Sequence, residues 1–199
     1  MLFSHKDKIK LKNYLLKNLI KIEGVLSVTL VGSFWEKKNL NNFSDIDIII
    51  ILDKFNKQNY NKCISSLLKI NLKNFNLGNL KIKINPTFGP LKFDDDNSIV
   101  FHTMIYSKKS HINHVIKSPF TCYDWERSNN FKGLSLKEIF PVGKIQLVDF
   151  FNSRRGALNY LNNLKNNFIS YQKYEFKNNN FILKKKLFKI NKRHKFEFS

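Results

Sequence analysis

Cysteine is nearly absent from this chain of 199 residues: Cys63 and Cys122 are the only two. They give no disulfide framework and no zinc-ligand spacing. Cys63 falls in a stretch of helical period and reads as a small buried residue. No apolar run approaches the eighteen or so residues that a spanning helix needs, so no membrane partner is expected. The N-terminal stretch Met-Leu-Phe-Ser-His-Lys-Asp-Lys lacks the apolar core of a secretion signal, and a cytoplasmic location is the expectation. Acids are scarce, 15 against 35 lysines and arginines, which leaves a net charge of +20. Arginine is scarcer still: Arg127, Arg154, Arg155 and Arg193 are all there are. Nucleic-acid readers favour the arginine fork. A lysine excess amid asparagine, isoleucine and phenylalanine is also what A/T-rich codons produce. Nucleic acid is therefore a permitted partner but not the favoured one.

Hydrophobic residues make up 42% of the chain, enough for a packed core and too many for a disordered segment. Lys8 to Ile22 carries apolar residues at helical period and stops at Gly24. Ser27–Val31 reads as a strand, and Glu36 to Ser44 as a short helix and loop. Asp45–Leu52 reads as a strand apolar on both faces beyond its acids, hence central and covered on both sides. A second helix is expected over Lys57–Asn71, with strands at Leu80–Asn85 and Ile99–Tyr106. The pattern changes near Lys108. A core over residues 1–110 is expected, followed by a mainly helical segment over 111–199 with a basic tail. Ile145–Phe168 would be one helix, and the tail from Lys173 a final helix with a frayed end.

The chemistry concentrates at Gly32-Ser33, then eleven residues, then Asp45-Ile46-Asp47 at the head of the isoleucine-rich strand. Alternate residues of a strand share a face, so both carboxylates point one way. Two like charges side by side call for a cation, and hard oxygen donors favour Mg²⁺ or Mn²⁺. A glycine at the preceding strand's end admits close backbone approach of a ligand, and the serine adds a hydroxyl and an amide for phosphate oxygens. The alternative is an ordinary buried strand with two aspartates at its edge, which leaves the spaced Gly-Ser unexplained.

This composite pattern, strongest over Leu26–Asp53, resembles the polymerase-beta-type nucleotidyltransferase superfamily. The resemblance implies an α/β fold: a small mixed β-sheet core with flanking helices, followed here by a helical C-terminal segment. It implies that Asp45 and Asp47 are catalytic metal ligands and that Gly32 and Ser33 hold nucleotide phosphates. Active members also carry a third carboxylate on a neighbouring strand. Leu80–Asn85, where it is expected, has no acid; the next strand offers His102 as a base or as a structural residue. Asp124 is the other candidate for that role, unless it caps a helix. Lys92, after Gly89-Pro90, is a candidate phosphate contact or a solvent-facing lysine. Arg154, in Arg154-Arg155-Gly156, either clamps phosphate or pairs with acids. Asp94–Asp96 read as a solvated turn. His111 and His114 would share a helix face but lack a third ligand. Trp35 stacks on a base or packs in the core, and Phe120–Phe131 is a candidate acceptor region.

The function that follows is Mg²⁺-dependent transfer of a nucleoside monophosphate from a nucleoside triphosphate to a hydroxyl on a small molecule or protein, with release of pyrophosphate. Two alternatives stand beside it. One is a degenerate member that binds nucleotide or a partner without turnover; the other is a basic nucleic-acid-binding module.

Overall fold

The computed structural model describes residues 3–36, 45–78, 80–85, 97–177 and 180–189. The chain divides into two compact units, residues 1–85 with 94–144, and residues 86–93 with 145–199. Lys92 and Asp94–Asp96 lie outside the described residues, as does most of the stretch from Glu36 to Ser44.

The first unit is a mixed five-stranded sheet covered by helices. In chain order its elements are α1 (His5–Leu19), β1 (Val25–Val31), α2 (Ser33–Glu36), β2 (Asp45–Leu52), α3 (Lys57–Leu68), β3 (Lys81–Ile84), β4 (Ser98–Ser107), α4 (Lys108–Lys117), α5 (Pro119–Glu126), β5 (Phe131–Gly133) and α6 (Leu136–Ile139). Strand order is β3-β4-β2-β1-β5. β1 runs antiparallel to β2 and β5, while β2 and β3 run parallel to β4. β2 is therefore central, and six of its eight residues are buried.

Alternation along β2 divides the core. Ile46, Ile48, Ile50 and Leu52 pack with Leu11, Leu15 and Leu19 of α1 and Cys63 and Leu67 of α3. Ile49 and Ile51 pack on the other face with Val31, Leu136 and Ile139, against Met104, Tyr106 and Trp125. The helix ends are fixed by local chemistry. Ser4 and Asp7 form a capping box at α1, Ser107 and Ser110 another at α4, and Pro119 opens α5.

Two sequence expectations need correction. The neighbour of β2 on the side away from β1 is β4, not β3. β3 is short and half-exposed, as an edge strand should be, whereas Ile99, Val100 and Phe101 are buried. The stretch expected as a final helix is instead a hairpin.

The second unit contains α7 (Leu147–Lys165), β6 (Phe168–Lys177) and β7 (Asn180–Lys189), the strands pairing antiparallel from Phe168↔Lys189 to Lys177↔Asn180. Aromatic and β-branched residues recur through both strands, which favours extended over helical backbone. α7 passes unbroken through Arg154-Arg155-Gly156 and has no buried residue. No described helix is long and apolar enough to cross a membrane.

Candidate active site

The site gathers at one end of the first unit's sheet, across three strands. Antiparallel pairing sets Asp47 of β2 opposite Val31, the last residue of β1. Parallel pairing on the other side sets Asp47 opposite His102 of β4. Residues paired in register share a face, so Asp45, Asp47 and His102 converge. His102 Nδ1 lies 3.5 Å from Asp45 Oδ2 and 3.5 Å from Asp47 Oδ1. The imidazole is 17% exposed and the two carboxylates 30% and 31%, so the group is embedded yet open to a ligand. When protonated, His102 supplies a positive charge between two negative ones.

His102 is held from both sides. β2 pairs with β4 on one flank; on the other, Asn85 at the end of β3 takes over from the strand. Its backbone N–H donates to Phe101 O (3.0 Å), its Nδ2 donates to Thr103 O (2.8 Å), and its Oδ1 accepts from Thr103 N (2.6 Å). The side-chain amide thus replaces a peptide unit of the ladder, and the backbone on both sides of the histidine is tied down.

Gly32 turns the chain out of β1 at φ +84°. A Cβ there would run into the Asp47 carboxylate. The position needs glycine twice, for its conformation and for the space that Asp47 fills. Ser33 is exposed and begins α2, and Trp35 N donates back to Gly32 O at 3.1 Å. Phe34 and Trp35 anchor that turn in the core.

The remaining candidates fall elsewhere. Asp124 lies on α5 and lines a pocket with Trp35 and Arg127. Arg154 is exposed on α7 in the second unit. His111 is 1% exposed, and neither ring nitrogen has a partner. His114 Nδ1 lies 2.7 Å from Tyr106 Oη. Burial, reinforced by His114, holds the His111 pKa down at about 4, so it serves packing. Burial also pushes the thiols up, Cys63 to about 11 and Cys122 to about 12. Both are thiols at neutral pH and neither is poised as a nucleophile.

Residues 10–106 match the family profile of the nucleotidyltransferase domain. They belong to that family. The matched segment spans both carboxylates, the Gly32 turn, His102 and nearly all of the four-stranded part of the sheet. No curated protein and no solved structure gives a significant match. The nucleotidyltransferase domain supports transfer of a nucleoside monophosphate as the general activity.

A divalent metal fits this donor set in a specific sense. Among the described residues no group of three or more His, Cys, Asp or Glu side chains forms a ready cage. Mg²⁺ does not require one; it keeps several waters and takes one or two carboxylates with substrate phosphates. Two convergent carboxylates beside a glycine turn meet that need. Sequence pattern alone missed the partnership of His102 with Asp47, although the signal was present: Val100, His102, Met104 and Tyr106 alternate on one face of β4.

Proposed function

We propose that this protein is a Mg²⁺- or Mn²⁺-dependent nucleotidyltransferase that moves a nucleoside monophosphate to a hydroxyl of a small molecule or protein. The observation that carries this reading is the convergence of Asp45, Asp47 and His102 beside the Gly32 turn. Asp45 and Asp47 would hold the metal, which when bound would supply neutralisation of phosphate charge. The Gly32 backbone and Ser33 hold the β- and γ-phosphates. His102, in the place expected for a third carboxylate, accepts the proton of the acceptor hydroxyl. The acceptor oxygen attacks the α-phosphorus in line, the bond to the bridging oxygen breaks, and pyrophosphate leaves with that electron pair. No covalent enzyme intermediate is required.

The test is nucleotide binding and pyrophosphate release with Mg²⁺, with acceptors supplied as a cell extract, for the wild type and for Asp45→Ala/Asp47→Ala. Metal-dependent release that the double variant abolishes is the expected result. Absence of metal-dependent binding in the wild type would overturn the site assignment.

One observation favours a second reading. A histidine rather than an acid faces the two aspartates across β4, which suits a member that binds nucleotide without turnover. Binding without release, across acceptors from several extracts, would select it.

A further inference from the structure

On the side of β1 away from the carboxylates, Trp35, Asp124, Arg127, Ser128, Asn129 and Asn130 line a pocket of about 460 Å³. That is within the range of roughly 300–1,000 Å³ typical of small-ligand sites. Its floor is fixed to the same strand end that carries the Gly32 turn. Leu30 N donates to Asn130 O (2.8 Å), Ser128 Oγ donates to Leu30 O (2.6 Å), and Asn130 N donates to Ser128 Oγ (3.2 Å). Asn130 is therefore abreast of Leu30, one strand spacing from β1, and Asp47 is one spacing away on the other side. The backbones of Asn130 and Asp47 thus flank the end of β1 about 10 Å apart, at about 4.8 Å per strand. An extended nucleotide bridges such a span.

The polar groups of the pocket have defined roles. Ser128 is occupied by backbone on both its donor and acceptor sides. Asn130 Oδ1 accepts from Lys12 Nζ at 3.2 Å, which leaves its amide N–H groups as the free end. Asp124 and Arg127 stand three residues apart at the end of α5, and no ion pair joins them among the described residues. The guanidinium instead lies over the Tyr123 ring, 5.7 Å from its centroid. Trp35 is 9% exposed and contributes an apolar wall; its indole N–H has no acceptor from the protein. The pocket thus presents a strong acceptor beside fixed donors, unpaired with each other.

One nucleobase matches that arrangement. Guanine offers N1–H and the N2 amino group side by side to a carboxylate, and O6 and N7 to an arginine fork. Adenine and cytosine would turn a ring-nitrogen lone pair toward Asp124. Uracil flanks its one N–H with two carbonyls, which the carboxylate repels. Arg127 is also one of only four arginines in a chain dominated by lysine, where the planar fork is the property that lysine lacks. Resting on the nucleotidyltransferase reading above, the geometry points to guanine selection by Asp124 and Arg127, with GTP as the donor nucleotide.

The experiment is calorimetric titration of GTP, ATP, CTP, UTP and xanthosine triphosphate in Mg²⁺ into the wild type, Asp124→Asn and Arg127→Lys. Thermal melts check that each variant is folded. The wild type is expected to bind GTP at least tenfold more tightly than ATP, CTP or UTP. Asp124→Asn should lose that preference and bind xanthosine triphosphate better than GTP, because the new amide donates to the carbonyl at C2 of xanthine. Arg127→Lys should keep the charge but weaken GTP several-fold. Equal affinities for all bases, preference for another base, or an Asp124→Asn protein that still prefers GTP would overturn the inference and leave the nucleotidyltransferase reading intact. No binding of any nucleotide would overturn both.

Discussion

The two faces of β2 are built from one sequence run and do different work. Ile46, Ile48, Ile50 and Leu52 meet α1 and α3, and every one of them is fully buried. The opposite face begins with Asp45 and Asp47, about one-third exposed, and turns aliphatic only at Ile49 and Ile51. A strand's period of two makes this possible: a side chain can change on one face without changing its neighbours on the other. The first face secures the sheet, and the second uses that security to hold like charges together at the sheet's end. Stability and chemistry should therefore separate by parity along a single strand.

Replacing Asp45 and Asp47 by alanine should break the chemical face alone. Pyrophosphate release should fall about a thousandfold or more, since metal charge stabilisation contributes several kcal/mol and each 1.36 kcal/mol is a factor of ten. The melting temperature should hold or rise, because two adjacent negative charges are gone. Ile48→Ala should do the reverse. It leaves a cavity in the fully buried face and should cost about 2–5 kcal/mol in denaturant unfolding, with turnover per folded molecule little changed. A drop in turnover matching that of the aspartate variant would dissolve the distinction.

A third test uses the helices covering the chemical face. His111 is neutral when folded, held at about 4 by burial first and by His114 second, against an ordinary 6.5. The unfolded chain takes up the proton first as pH falls. Its contribution is therefore fully present above pH 6.5 and lost as pH drops toward 4, a change of about 3 kcal/mol at 1.36 kcal/mol per unit. His114, also lowered by burial, adds in the same direction. Urea unfolding between pH 7 and 4 should show this fall, and His111→Leu should flatten most of it. The smallest effect belongs to the surface. Lys62 and Glu23 pair at 3.2 Å with side chains 39% and 89% exposed, and Lys62→Met should change stability by less than about 1 kcal/mol.

Much of this was legible in the residues. Helical period marked α1 and α3, and the all-apolar run marked β2 as central. Gly32-Ser33 with Asp45 and Asp47 marked the site, because backbone exit and shared face are local consequences of glycine and of strand alternation. The third partner was harder to read. The resemblance places the third carboxylate on Leu80–Asn85, yet β4 enters between that strand and β2. The C-terminal hairpin is ambiguous in sequence because scattered aromatic residues fit either period until a partner strand is known. The pocket residues Asn129 and Asn130 carry no local signal; they matter because β5 pairs with β1.

By itself, the sequence determined that two carboxylates lie on one face of a buried strand, after a turn that requires glycine. Those properties depend on neighbours within a few residues. Tertiary structure decided that His102 faces the carboxylates and that Asp124 and Arg127 share a pocket with Trp35 of α2. Strand order and register depend on which distant surfaces bury each other best, and a one-residue slip would turn His102 away.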